Sequence, residues 1–479
     1  MKLVRFALAA AALLAAHPAH AQQASPLVGG WGGALEVQGL RLRLTLAVQD
    51  SGGALHARFR SVDQGNSTFP VTVEMRGDSA IFTAAPINAA FRAVLVGRDT
   101  LRGEWTQGPA SLPLVMVRGA DQAMVVRRPQ NPQAPFPYRS EEVTVESVPG
   151  VRLAGTLTLP PGDGPHPAVL LVSGSGPQDR DESLLGHKPF LVLSDHLTRQ
   201  GIAVLRMDDR GTARSTGSFA GSTSEDFAQD AAAAVRWLRA RPEVADDRVG
   251  IVGHSEGGLI APLVAARDRD VAFLVLLAGP GTPSAELLVQ QAALISRAGG
   301  DPEREIERTS AFQREMFGAL AQTADSAALH ARLTEIGQRF LATLTPEERA
   351  MPAGSEATLT ATVNTMVSPW YRWFLRYDPA PALRATRVPV LALNGALDLQ
   401  VPADENLAGI RASLRAGGNR DITTEKLPGL NHLFQTARTG APSEYNEIEE
   451  TMSPVVLQRV SGWILERFGS RTAGRNGRE

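Results

Sequence analysis

Hydrophobic and polar positions alternate with a period of two in ALEVQGLRLRLTLAV (34–48), LHARFRSV (55–62), FPVTVEMRG (69–77) and FRAVLVG (91–97). Turn-forming groups separate these runs at Ser51-Gly52-Gly53, Gly65-Asn66 and Gly77-Asp78. Period-two alternation puts one face of a strand in a core and the other in water. Residues 25–126 carry neither helix caps nor a 3.6-residue repeat, so this segment reads as a small antiparallel barrel or sandwich. Its polar side chains form no nucleophile or metal-ligand constellation, and the segment reads as a packing or substrate-docking module.

The pattern changes after residues 127–140, RRPQNPQAPFPYRS, whose four prolines predict an extended linker. A hairpin over 141–147 and 151–159 comes next. Short, continuously apolar strands then alternate with helices: strands at 168–174, 202–208, 248–253, 271–279, 388–395 and 422–429, and helices over 224–240, after Gly257, near 403–415 and over 453–468. Continuous apolar strands between helices predict a mainly parallel sheet covered on both faces. Residues 281–386 show helical composition and no strand-like alternation, so they are expected to form a cap over the carboxyl ends of the strands. Residues 141–468 form the α/β domain, and the polar tail 470–479 is expected to fray.

Candidate chemistry sits where the strand RVGIVG meets Gly253-His254-Ser255-Glu256-Gly257-Gly258 and the helix LIAPLVAA. A Gly-x-Ser-x-Gly run between a strand and a helix is a nucleophile elbow, which projects the serine at the sheet edge and turns the helix amides toward a developing oxyanion. A serine needs a histidine to take its proton, and the imidazole needs an acid to hold its tautomer. His432, in the loop LPGLNHLFQ, is the only histidine beyond position 330. Asp398 closes the strand VPVLALNG; Asp378, Asp404, Glu405 and Asp421 compete for the role from a cap exit, a helix start and the wrong end of a strand. The oxyanion donors are expected to be the backbone amides of Glu256 and of Ser175, with Gly176 close behind. His254 reads as structural. Gln178-Asp179-Arg180-Asp181 and Asp208-Asp209-Arg210-Gly211 read as paired loops that brace one another, and Gly176 together with Trp370 and Phe374 in the aromatic cap exit 370–374 as candidate pocket walls.

Composition narrows the chemistry further. No cysteine is present, which removes disulfides, thiolate zinc sites, iron–sulfur clusters and a cysteine nucleophile. With 48 basic and 50 acidic side chains there is no footprint for nucleic acid. No metal-ligand spacing occurs, and the glycines of 173–177 are not followed by the lysine of a phosphate loop, so neither a metal nor a cofactor is expected. Residues 1–21, MKLVRFALAAAALLAAHPAHA, have a basic start, a short apolar run and a final Ala-His-Ala. That is the pattern of a cleaved signal peptide, and it predicts export to the periplasm or beyond without integral membrane association. Nothing in the sequence sets an oligomeric state.

Taken together, SGSGPQDRDE (173–182), DDRGTARSTG (208–217), GHSEGG (253–258), LALNGALDLQVPADEN (391–406) and LPGLNHLFQ (427–435) resemble the α/β-hydrolase family. Within it, the chain is similar to bacterial serine-aminopeptidase-like esterases with an added N-terminal β domain. The resemblance covers about residues 141–468 and implies a Ser255–His432–Asp398 triad. GTARSTG departs from the family's run, which is closer to GVGKSTG, so the second glycine and the lysine are missing. The expectation is a serine carboxylesterase acting on small esters through an acyl-enzyme. One rival is a serine aminopeptidase or acyl-peptide hydrolase taking short peptides, with Glu303, Glu305, Glu307 and Glu315 of the cap available for an amine. The other is a non-catalytic binding protein that keeps the hydrolase as scaffold.

Overall fold

The computed structural model describes residues 25–37, 40–51, 54–63, 67–108, 110–121, 127–351 and 354–469. The stretch read as a signal peptide, 1–21, and the tail 470–479 lie outside them. The chain divides into two compact units, an N-terminal one and one that holds everything from residue 126 onward.

The N-terminal unit is a closed antiparallel barrel of eight strands in sequence order. These are β1 (Gly29–Val37), β2 (Leu40–Ser51), β3 (Ala54–Ser61), β4 (Ser67–Arg76), β5 (Ser79–Ala84), β6 (Ala89–Val96), β7 (Thr100–Gln107) and β8 (Ala110–Arg118). The alternating run over 34–48 falls on two strands, β1 and β2. Closure comes from β1 against β8, with Trp31 opposite Arg118 and Gly33 opposite Met116. Closing the sheet removes its edges, and the inward alternation fills the interior with Trp31, Phe59, Phe82, Phe91 and Trp105, all buried. Edge-to-face contact of Phe59 with Trp105 at 5.2 Å adds aromatic packing to that core.

The second unit holds an eight-stranded sheet ordered β16-β15-β14-β13-β11-β12-β10-β9. Its strands are β9 (Arg139–Glu146), β10 (Arg152–Leu159), β11 (His166–Val172), β12 (Ala203–Met207), β13 (Val244–His254), β14 (Leu274–Leu277), β15 (Val390–Gly395) and β16 (Ile422–Leu427). The β9–β10 hairpin and the β10–β12 pair are antiparallel; the other neighbours are parallel. The linker read over 127–140 is therefore shorter, since Arg139 and Ser140 already pair with Leu159 and Thr158.

Helices cover both faces, as the uninterrupted apolar strands require. One core joins Ala168, Leu170 and Ile251 to α2 (Ser224–Arg239), α3 (Glu256–Ala265), α10 (Ala380–Ala385) and α11 (Ala403–Ala416). The other joins Val169, Leu171 and Val252 to α1 (Pro189–Arg199) and α12 (Pro454–Phe468). Alternate residues of one strand thus feed opposite cores. No element is expected from the sequence between 175 and 201; helix α1 begins there at Pro189 and packs Phe190, Leu193 and Leu197 on the sheet.

Between β14 and β15 the described residues of the cap form α4 (Ser284–Gly299), α5 (Glu303–Gln322), α6 (Ser326–Ala342), α7 (Pro346–Ala350), α8 (Glu356–Met366), α9 (Pro369–Arg376) and α10. They carry a small core of their own around Leu320, Leu329, Leu333 and Val363. Among the described residues no helix is long and apolar enough to cross a membrane.

Candidate active site

Strand β13 delivers Ser255 into a tight turn with φ +52° and ψ −117°, a strained conformation for a residue that carries a side chain. The glycines on either side make the turn possible. A Cβ on Gly253 would stand 2.1 Å from the Gly257 carbonyl oxygen, and one on Gly257 would stand 2.0 Å from that of Val172. Helix α3 begins at once and is buried along its whole length. Its first amide, that of Glu256, has no hydrogen-bond partner among the described residues, as expected for a helix start. The positive end of the helix dipole therefore faces whatever binds beside Ser255.

Asp398 lies just past the end of β15, in a turn that locks its carboxylate. Its Oδ1 accepts the amides of Gln400 and Val401, each at 2.8 Å, and its Oδ2 accepts from His432 Nδ1 at 2.9 Å. Both side chains are buried. The competing acids have other partners: Asp378 caps Ala380, Asp404 pairs with Lys426, Asp421 with Arg467, and Glu405 is exposed. The loop carrying His432 is braced from within, Asn431 Oδ1 accepting the amides of Leu433 and Gln435 at 3.0 and 2.9 Å. With Nδ1 bound to the carboxylate, His432 keeps Nε2 for proton transfer. Ser255 and His432 line the same cavity. No hydrogen bond between them is made among the described residues; such contacts commonly tighten only in the Michaelis complex.

The loop after β11 supplies the opposite wall. The Gly174 amide is already donated to Glu182 Oε1 at 2.7 Å, which leaves the Ser175 amide as the loop's unpartnered donor at the cavity. Gly176, expected close behind it, lines a neighbouring void of about 40 Å³ that shares Gly174 and Glu256 with the cavity. Asp209 holds the loop by accepting the Gln178 amide at 2.9 Å and the Ser173 hydroxyl at 3.2 Å. Burial, helped by the neighbouring carboxylates of Glu256 and Glu182, pushes the Asp209 pKa up to about 8 against those hydrogen bonds. The expected bracing of the two acidic loops is present, with Arg180 bound to both oxygens of Asp208.

The cavity holds about 280 Å³. Ser368 caps α9, and with Pro369 at its first position this places Trp370 and Phe374, one turn apart, on the face that lines the cavity. Trp370 also donates Nε1–H to Glu256 Oε1 at 2.9 Å, an oxygen that Ser224 Oγ approaches at 2.5 Å. Burial raises the Glu256 pKa. None of Glu303, Glu305, Glu307 and Glu315 lines the cavity; Glu303 and Glu315 pair with Arg297 and Arg339.

Two residues escape the sequence reading. His254, read only as structural, is the last residue of β13 and has both ring nitrogens engaged: its Nδ1 meets Glu182 Oε1 at 2.8 Å and its Nε2 the carbonyl oxygen of His432 at 3.0 Å. Burial opposes its charged form, but Glu182 and the His432 carbonyl outweigh that, so its pKa stands above the usual value. Glu182 lies 72 residues from His254. Only its place in SGSGPQDRDE, the run quoted for the family resemblance, hinted at a role.

An elbow serine, a carboxylate-held histidine and two open amides around one cavity on a doubly covered sheet define a hydrolase of the α/β-hydrolase fold. The sequence matches the X-Pro dipeptidyl-peptidase (S15) family over residues 149–412, a span that takes in Ser255 and Asp398 and ends before His432. The chain belongs to that family. It is 33% identical to Esterase EstD of Thermotoga maritima over 334 residues, 69% of each chain. Solved structures similar to it include the Pyrococcus furiosus esterase Pf2001 (15% identity, 72% of this chain and 98% of that one, TM-score 0.42). The α/β hydrolase GrgF from Penicillium sp. sh18 is another (17% identity, 68% and 100%, TM-score 0.42).

Proposed function

We propose that the protein is a serine carboxylesterase for small, uncharged carboxylic esters. The observation that carries this reading is the His432–Asp398 pair opening on the same cavity as Ser255, with the Glu256 and Ser175 amides unpartnered beside it. His432 Nε2 takes the Ser255 proton as the serine oxygen attacks the ester carbonyl. The two amides stabilise the tetrahedral oxyanion, and the imidazolium, held by Asp398, gives its proton to the leaving alcohol. Water then enters along the same route and releases the acid.

The cavity chemistry favours a neutral substrate. Among the described residues no lysine or arginine lines it, and its two acids are already engaged, Glu182 by His254 and Glu256 by Ser224 and Trp370. An N-terminal ammonium group would therefore find no uncommitted carboxylate among the described lining residues. About 280 Å³ is at the small end of ligand pockets. The likeness to EstD supports the same choice. The second reading, a peptidase, is favoured by the family match. A panel of short acyl esters, thioesters, aminoacyl amides and dipeptidyl X-Pro amides, run beside Ser255→Ala, separates the two. Ester turnover abolished by Ser255→Ala is expected; amide turnover with negligible ester turnover would overturn the choice.

Export is part of this proposal and is supported by the composition of residues 1–21. Fractionation of cells making the full chain, with N-terminal sequencing of the product, tests it. A chain that keeps Met1 in the cytoplasm contradicts it.

A further inference from the structure

The residue before the nucleophile has both ring nitrogens committed. His254 Nδ1 faces Glu182 Oε1 at 2.8 Å, and its Nε2 faces the backbone carbonyl oxygen of His432 at 3.0 Å. Both partners accept hydrogen bonds, whereas a neutral imidazole carries a single N–H. Either His254 is doubly protonated or the proton sits on Glu182. Glu182 Oε1 also accepts the Gly174 amide at 2.7 Å, and an acid hydroxyl with its proton turned toward Nδ1 would be a poor acceptor there. The second proton belongs on the imidazole.

We propose that His254 and Glu182 form a buried imidazolium–carboxylate pair that positions the catalytic base, tying the loop of His432 to the oxyanion loop across the elbow. The chain of contacts runs from the Gly174 amide through Glu182 and His254 to the His432 carbonyl, so one ion pair touches all three segments that must meet at the substrate. Both side chains are at least nine-tenths buried, at 8% and 7% exposed. Replacing such a pair with apolar side chains is often neutral or stabilising, so its presence calls for a role other than stability. Three non-glycine residues at these segments hold left-handed backbone, Glu182 at +52°, Ser255 at +52° and Phe434 at +60°. Strain of that kind persists only where the surroundings over-determine it. The His254 and His432 rings lie 4.9 Å apart, so a shift of one displaces the other. Beyond Glu182, the acid acting on His254 from the base side is Asp398.

The inference rests on the esterase reading, since a positioning role presupposes that His432 is the base. The test has two arms. Long-range ¹H–¹⁵N spectra of histidine-labelled full-length protein at about pH 7, with His254 assigned by loss of its signals in His254→Asn, should show both nitrogens protonated. A bare nitrogen at His254 under those conditions overturns the proposal. In the second arm, Glu182→Gln keeps an oxygen for the Gly174 amide but cannot neutralise a cation. Its kcat should fall on the order of 10²-fold with KM changed less than about threefold, and Glu182→Asp should recover part of the loss. A folded Glu182→Gln with unchanged kcat overturns the proposal; if that variant does not fold, the spectra of the unmodified protein decide. An inactive wild type would sink the esterase reading, whereas a neutral His254 in an active wild type sinks only this one.

Discussion

Replacing Asp398 with asparagine isolates what the carboxylate does for the base. Oδ1 of Asp398 accepts the Gln400 and Val401 amides, and an asparagine oxygen keeps both bonds, so the turn and the fold should survive. The new NH₂ then occupies the position of Oδ2, facing His432 Nδ1 at 2.9 Å. A donor there forces the imidazole to present a lone pair at Nδ1 and to carry its proton on Nε2, the nitrogen that must accept from Ser255. The base is lost through its tautomer rather than its place. A serine hydrolase altered in this way loses on the order of 10⁴ in kcat, or about 5 kcal/mol of transition-state stabilisation. The assay is steady-state hydrolysis of 4-nitrophenyl acetate by Asp398→Asn, with Asp378→Asn, Asp404→Asn and Asp421→Asn as controls. KM should stay within a few-fold and the melting temperature within about 2 °C. The controls lose a helix cap or an ion pair with an exposed partner and should keep kcat within about twofold. A loss below tenfold in Asp398→Asn, or an equal loss in any control, would refute the reasoning.

Two further outcomes follow from the loops around the site. Ala213 holds φ +46° on the surface, at the position where the related run GVGKSTG has its second glycine. Relieving a left-handed alanine gains about 1–2 kcal/mol and the looser unfolded chain returns about 0.5–1, so Ala213→Gly should stabilise the domain by about 0.5–1 kcal/mol in denaturant melts. A net destabilisation contradicts this. Asp209 binds its proton more tightly when folded, its pKa being about 8 against an ordinary 3.8. The folded chain therefore holds more protons between those values, and stability falls as pH rises through them. Against Asp209→Asn, the wild type should lose about 2–3 kcal/mol between about pH 5.5 and 7.5; a pH-independent difference contradicts that.

Much of this architecture is written in local pattern. The two-residue alternation of 34–97 marks barrel strands because each closes on a single core, and the uninterrupted apolar runs at 168–174 and 248–253 mark strands buried on both sides. Ser255, Asp398 and His432 stand out since each follows a strand, where a parallel sheet gathers its chemistry. What was not legible depends on contacts distant in sequence. Helix α1, where no element is expected from the sequence, buries Phe190, Leu193 and Leu197 against the sheet. The tie from Glu182 through His254 to His432 needs three loops in place before any of its hydrogen bonds exists.

The most direct measurement is to trap the nucleophile. Folded full-length protein treated with a fluorophosphonate should gain the mass of one adduct, map it by peptide sequencing to Ser255, and lose ester turnover in step with labelling. Ser255→Ala and heat-denatured protein should gain none. An adduct on another serine that abolishes activity, or full ester turnover with Ser255 replaced by alanine, would contradict the assignment of Ser255.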